Sequence, residues 1–375
     1  QGAGTVVTGT VLSGQVAVGD LVTISPSGIA ARVRGIHAQN RQATRGLAGQ
    51  RCALNLAGEA IAKDAIHRGD IVLAPALHAP TERIDAVLTV LDTEPKPIGT
   101  WFPARLHSHA AELGARIVPL GDPIAPGHSG PVQIVLDRPI AATIGDRFIL
   151  RDVSASRTIG GGHFLDLRPP ARKRRTPERL ALIDAAQAPD PLQAMLAVGP
   201  VDSAVFMRDR ALSPADAAAA LSGARMVAGL ALSPAHLDAL QRGIIDALSA
   251  FHAENPDLPG MGRERLRLAL TPRLPKDAYL ALLRGEADAG RIVPDGAFLR
   301  LPGHEVRLSV EDEALWARIL PSLTGDLRYR PPRVRDFATD FSTVSRQLRS
   351  SLRARCGISA RSVAAASPSR FTSAG

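Results

Sequence analysis

"GTVVTGTVLSGQVAVGDLVTI", residues 4–24, alternates small or polar side chains with apolar ones and is interrupted by glycine. A period of two sends successive side chains to opposite faces of an extended chain, so the stretch reads as strands with one buried face. Ser13-Gly14 marks one turn, and Gly19-Asp20, a dipeptide of the kind that closes hairpins, predicts another. "ARVRGI" (31–36), "GQRCALNLAG" (49–58) and "RGDIVLA" (68–74) continue the pattern at short spacing. Many short strands with glycine punctuation predict a barrel or sandwich. Pro80 lies at a seam. Beyond it comes a second β set: "RIDAVLTVL", "TWFPARLHSHAAEL", "ARIVPL", "GPVQIVLDRPI", "DRFILRD" and "RTIGGGHFLDL", closed by Pro169-Pro170.

After Arg172-Lys173-Arg174-Arg175 the period changes. "TPERLALIDAAQ" (176–187) carries Leu180, Leu182 and Ile183 at helical spacing, with Thr176 as cap and Pro177 at the first helical position. The clearest unit is 233–303: a long helix capped by Ser233, two shorter helices at 262–270 and 276–290, and a hairpin turning at Asp295-Gly296. Three helices and a small hairpin make a winged helix, a variant of the helix-turn-helix. A weaker version fits 176–232, and a third begins at 304 with "SVEDEALWARILPSL" (309–323) and "RVRDFATDF" (333–341).

The chain has 375 residues, 45% of them hydrophobic, enough for several packed cores. No run approaches the roughly 18 apolar residues of a membrane span. Cys52 and Cys356 are the only cysteines, which fits a reducing cytoplasm better than a disulfide framework. The net charge of +9 is concentrated at one end: residues 328–375 hold ten arginines against Asp336 and Asp340. Residues 342–375 contain nine serines, six arginines and no Asp, Glu or Lys. That composition fits a disordered basic tail or a stretch read out of frame, and the third helical unit, which starts well and lacks its hairpin, favours the second.

Few motifs carry chemistry. No GxxxxGK[ST] occurs, so the chain has no phosphate-cradling loop of that type. His107-Ser108-His109 would set two imidazoles on one strand face, but no carboxylate or cysteine follows at ligand spacing, and a structural pair is expected. Gly160-Gly161-Gly162 is expected to form a turn. Aromatic residues are 3% of the chain, too few for an array of stacking platforms. In "GQRCALNLAG" the period of two places Cys52, Leu54 and Leu56 toward the core and Arg51, Ala53 and Asn55 away from it. Arg51 then reads either as a solvated surface cation or as an anion-binding group on a shallow barrel face.

"GAGTVVTGTVLSGQVAVGDLV" (2–22) resembles the second domain of translational GTPases. "RVRGIHAQN" (32–40), "AGQRCALNLAG" (48–58) and "DRFILRDVSASRTIGGG" (146–162) are similar, more narrowly, to selenocysteine-specific elongation factors. His37-Ala38-Gln39-Asn40 and the Arg of "GQR" separate the chain from elongation factor Tu. The helical array, with "GRERLR" at 262–267, resembles that family's C-terminal extension.

The resemblance implies a multidomain β-then-α fold: two translation-factor β-barrels followed by tandem winged-helix domains. The expected boundaries are 1–78 for domain 2, its first strand cut, 79–170 for domain 3, 171–232 and 233–303 for two winged helices, and 304–341 for part of a third, with 342–375 as tail. It implies that the intact factor binds GTP with Mg and delivers selenocysteinyl-tRNA to the ribosome at UGA, reading an mRNA hairpin through its winged helices. It further implies a cytoplasmic monomer with no membrane contact. Arg51 matches a pocket arginine facing the selenocysteinyl group, with Gln50 and His37 beside the tRNA 3′ end. Arg333 and Arg335 are candidate RNA contacts. A GTPase domain is expected upstream, so this chain alone is expected neither to hydrolyse GTP nor to discriminate selenocysteinyl-tRNA well. The rival reading is a winged-helix DNA-binding regulator with a β-barrel sensor, which would need a basic recognition helix. "KDAYLALLRGEADAG" is not strongly basic.

Overall fold

A computed structural model describes residues 5–323, and the chain divides into two compact units after Ala224. The first unit opens with β1 (Thr5–Thr10), β2 (Gln15–Ala17), β3 (Leu21–Ser25), β4 (Ile29–Ala38), β5 (Arg41–Ala43), β6 (Arg45–Leu47), β7 (Arg51–Ala57) and β8 (Ile71–Leu73). The strand order is β1-β7-β4-β3-β8, with β5 added to β4, while β2 and β6 form a ribbon of their own. Gly19-Asp20 is therefore a turn but not a hairpin. Asp20 Oδ2 accepts the Ala17 N–H at 2.8 Å, and the strands on either side pair elsewhere, β2 with β6 and β3 with β4 and β8. Val22, Ile24, Val33, Ile36, Cys52 and Leu56 form the core of this first β domain.

The second β domain is a closed barrel, ordered β10-β11-β12-β9-β14-β13. Its strands are β9 (Thr81–Val90), β10 (Phe102–Ser108), β11 (Ala111–Pro119), β12 (Ser129–Ile140), β13 (Arg147–Arg151) and β14 (Thr158–Asp166). Its interior is aliphatic apart from Phe148 and Phe164, which stack at 5.3 Å between centroids. The glycine run lies inside β14, not in a turn. A Cβ at Gly160 or Gly162 would strike the backbone carbonyls of Thr89 or Val87 on β9, so bare backbone is what lets the barrel close here. "TWFPARLHSHAAEL" is likewise not one strand. His109, at φ 51°, sits in a two-residue turn that pairs Ser108 with Ala111 and starts β11.

Helices α1 (Pro177–Ala186), α2 (Pro191–Val198), α3 (Ser203–Asp209) and α4 (Pro214–Leu221) follow, with a short strand β15 (Val201–Asp202) before α3. Thr176 caps α1 by accepting the Arg179 N–H, with Pro177 at the first position. Arg179 then turns back onto the barrel. Its guanidinium bonds the fully buried Asp85, and its Nη2 lies 2.6 Å from Asp166 Oδ2. Gln133 Nε2 donates to the other Asp85 oxygen at 2.9 Å. Burial pulls the Arg179 guanidinium down, and the Asp166 and Asp85 carboxylates more than offset that, so it stays above its ordinary value. Asp209 of α3 is also buried and pairs with Arg168, 3.4 Å away.

The second unit contains a hairpin of β16 (Arg225–Val227) and β17 (Leu230–Leu232), then α5 (Pro234–Glu254), β18 (Met261–Gly262), α6 (Arg263–Ala269), α7 (Lys276–Asp288), β19 (Val293–Asp295) and β20 (Phe298–Arg300). Ser233 caps α5, whose Leu240, Ile244, Leu248 and Phe251 form one buried stripe. The β19–β20 hairpin pairs Asp295 with Phe298, so its turn is Gly296-Ala297, one residue later than the sequence suggests. Met261 of β18 adds a third strand to the wing. Buried Glu286 is held by Arg291 at 2.6 and 2.8 Å and by Gln241 at 2.8 Å. A further helix, α8 (Val310–Ile319), is capped by Ser309. No helix among the described residues is long and apolar enough to cross a membrane.

Candidate functional site

The candidate residues of the first β domain gather on β7 and its neighbours. A tight turn delivers Arg51 as the first residue of β7. Gly49, at φ 84°, lets the chain reverse, the Gln50 N–H donates to the Leu47 carbonyl, and Gln50 Oε1 accepts the Leu47 N–H at 2.8 Å. Gln50 thus spends its side-chain oxygen on the turn that positions Arg51. On one flank Arg51 pairs with Thr10 of β1, and on the other its carbonyl accepts the Gln39 N–H at 3.0 Å. Gln39 and Asn40, at φ 48° and 62°, make the mirror-image two-residue turn that joins β4 to β5.

The register fixes which side chains share the outer face. Ala53 pairs with Thr8 on one side and His37 on the other, and His37 pairs with Gln42. Thr8, Ala53, His37 and Gln42 therefore form one row across four strands. Arg51 stands diagonal to His37, a spacing of about 7–8 Å in antiparallel pairs. Both are exposed, as are Thr8 and Thr10. Cys52 and Leu56 point into the core. Asn55 is only half-exposed, and its Oδ1 is buried with no protein partner among the described residues.

Charge distinguishes the surface of this β domain around β4 to β7. Residues 29–57 hold Arg32, Arg34, Arg41, Arg45 and Arg51 and no Asp, Glu or Lys. All five arginines are exposed, and among the described residues none is paired with a carboxylate. Arg32 donates to the Gly19 carbonyl at 2.8 Å. A bulge between Val33 and Gly35 inserts Arg34 as an extra residue opposite β7. Period-two reading of one strand finds Arg51 but misses the cluster, whose signal is an acid-free window spread over four strands. Such a face attracts polyanions and gives binding that weakens with salt.

The other candidates lie apart from this face. His107 and His109 do not share a strand face, because β10 ends at Ser108. His109 Nε2 sits 3.2 Å from Asp146 Oδ2, and His107 Nε2 is buried without a protein partner among the described residues. No group of His, Cys, Asp or Glu among the described residues could hold a metal ion. Arg333 and Arg335 lie outside the described residues.

Comparisons with known proteins bear on the same segments. Residues 85–171 match the beta-barrel domain of selenocysteine-specific elongation factors, 245–301 the winged helix of elongation factor SelB, and 4–73 domain 2 of elongation factor Tu. The selenocysteine-specific elongation factor of Escherichia coli K12 is 36% identical over 359 residues, which are 94% of this chain and 56% of that protein. The chain is therefore similar to selenocysteine-specific elongation factors along almost all of its length. The family member from Haemophilus influenzae is 28% identical, over 85% of this chain and 52% of its own length. The chain thus spans just over half of these curated relatives. A crystal structure of a bacterial selenocysteine-specific elongation factor, EF-Sec, superposes with a TM-score of 0.60 at 18% identity, over 94% of this chain and 55% of that one, and shares its fold.

Proposed function

We propose that this chain forms the tRNA-holding and mRNA-reading part of a factor that delivers selenocysteinyl-tRNA to the ribosome at UGA codons. The observation that carries the reading is Arg51: exposed, at the head of β7, diagonal to His37, in a stretch, 29–57, whose five exposed arginines have no carboxylate partner among the described residues. A selenol is more acidic than a thiol and is ionised at neutral pH, whereas the serine hydroxyl is not. A guanidinium can therefore favour the selenocysteinyl group over seryl, and a charged hydrogen bond of this kind nets about 1.5–3 kcal/mol. His37 would stand beside the tRNA 3′ end, and Gln50 would act by setting the turn before Arg51. The winged helices supply the family's mRNA-hairpin module, with Arg333 and Arg335 as proposed contacts.

GTP and Mg belong to this proposal only at the level of the whole factor. The sequence has no GxxxxGK[ST] pattern, and its one triple-glycine run is packed inside β14 against β9, so these residues do not fit a triphosphate cradle. No GTP turnover is expected from the chain alone.

The test is the ratio of dissociation constants for selenocysteinyl-tRNA and seryl-tRNA, measured with these residues joined to a GTPase domain of the family in its GTP-bound state, because the chain alone is expected to discriminate poorly. Arg51→Ala is expected to bring that ratio toward one, removing at most about 1.5–3 kcal/mol of preference, while Arg51→Lys keeps part of it. A ratio indifferent to both substitutions would overturn the assignment.

A further inference from the structure

The basic run after the closed barrel does not belong to the face just described, and it lines a cleft of its own. That cleft, of about 470 Å³, is walled by Thr100, Trp101, Val118, Lys173, Arg174, Arg175 and Thr176. Three of its residues are cations and none is an acid. Trp101, one of only two tryptophans in the chain, is 52% exposed there. An indole this open on a barrel rim keeps aromatic surface available beyond the Arg174 guanidinium beside it, unlike the buried Phe148–Phe164 stack.

The cleft is built, not frayed. Trp101 immediately precedes β10, whose Phe102 is in register with Ile117 of β11. Arg175 Nη2 donates to the Pro119 carbonyl at the end of β11 at 2.6 Å, which fastens the basic run to the barrel. Arg174 Nη2 donates to the Ala171 carbonyl at 2.9 Å, and its guanidinium lies 5.6 Å from the centre of the Trp101 ring. The other terminal nitrogen, Nη1, is buried and finds no protein acceptor among the described residues, a rare state for a guanidinium. Trp101 and Lys173 both hold positive φ, 61° and 55°, which non-glycine residues seldom adopt unless their surroundings impose it.

A flat π face beside cations that have no carboxylate partner among the described residues matches the chemistry of a nucleotide with an unpaired base. The base stacks on the open face of the indole, and the phosphate takes Lys173 and the positive charge of the Arg174 guanidinium. The cleft has no aliphatic groove for a peptide side chain or an acyl chain, since Val118 is its one aliphatic lining residue. We infer that Trp101, Lys173 and Arg174 form a binding site for a single-stranded nucleotide on the closed barrel, separate from the Arg51 face.

The probe is a fluorescein-labelled oligouridylate, titrated against the full chain by anisotropy at low and at moderate salt. Trp101→Ala is expected to weaken binding about five-fold or more, as expected when one base can no longer stack, while Trp101→Phe retains most of the affinity. Lys173→Ala combined with Arg174→Ala should weaken binding and flatten its salt dependence by roughly 0.7 in the log–log slope for each phosphate that is no longer neutralised. In a Trp316→Phe chain the remaining emission comes from Trp101 alone, and saturating oligouridylate should quench it. Repeating the titrations with Arg51→Ala separates this cleft from the first β domain. Oligodeoxyuridylate should bind about as well, because the stack and the cations read base face and phosphate but not the 2′-hydroxyl. The proposal is overturned if Trp101→Ala binds with unchanged affinity, or if Trp101 emission does not move at saturation.

Discussion

In the closed barrel, Arg179 reaches back from α1 to the buried Asp85 and to Asp166. On the first β domain, Arg51 heads β7, is exposed and meets no carboxylate among the described residues. The same side chain serves opposite ends. Arg179 is spent on architecture, because a desolvated guanidinium is tolerable only with carboxylates in contact. Arg51, left solvated in a neighbourhood that lacks acids, keeps its attraction for an anion arriving from outside. Counting arginines cannot separate the two roles; counting the acids within reach of each one does.

The sharpest test of this contrast is Asp85→Ala. It strands Arg179 and Gln133 in the barrel wall and should cost about 3–5 kcal/mol in urea denaturation, the range for breaking a buried pair. Asp85→Asn, which can still accept from Gln133, should cost less. If Asp85→Ala behaves like a surface substitution, Arg179 is not pinned and the comparison fails. A second test sets backbone packing in the two β domains side by side. Gly162→Ala forces a methyl group against the Val87 carbonyl and should lose about 1–3 kcal/mol, as overpacking does. Gly9→Ala in β1, with nothing within 4 Å of the new Cβ, should change stability by no more than about 0.5 kcal/mol. Arg51→Ala should likewise leave the denaturation midpoint within about 0.5 kcal/mol of the parent while lowering the preference for selenocysteinyl-tRNA. A large stability loss there would mean that Arg51 belongs with Arg179.

Local patterns exposed much of this in advance. The alternation in "GQRCALNLAG" correctly divides Cys52 and Leu56 from Arg51. Thr176-Pro177 and Ser233-Pro234 mark helix starts that the structure reproduces, because caps and first-turn prolines act within four residues. Errors arose where the answer depends on a distant strand. Gly19-Asp20 has hairpin chemistry, yet β2 finds its partner in β6, nearly thirty residues on. Gly160–Gly162 looks like a turn because glycine usually marks one, while here it marks the close approach of β9. The Arg51 cluster was half legible: one member follows from period two, and the rest stand in an acid-free window, 29–57, spread over four strands that a strand-by-strand reading takes one at a time. The Trp101 cleft was not legible at all, since it joins residues more than seventy positions apart.

A histidine–carboxylate pair on the closed barrel provides the finest test. His109 lies in the β10–β11 turn, 3.2 Å from Asp146, whose Oδ2 is also fixed by the Thr143 N–H at 2.8 Å. The hydrogen bond that the His109 ring donates to Asp146 raises the imidazole above its ordinary value, against an opposing but smaller effect of burial. Because the folded-state value exceeds the unfolded one, the stabilisation is fully present below about 6.5, the usual imidazole value, and is lost as pH rises through the raised folded value. His109→Ala should therefore cost less than about 1 kcal/mol on the acidic side, and that cost should vanish on the alkaline side. NMR titration of the imidazole and urea denaturation at the two extremes of pH check the sign independently. If the cost instead grows with pH, the imidazole is held neutral and Asp146 is not its charge partner.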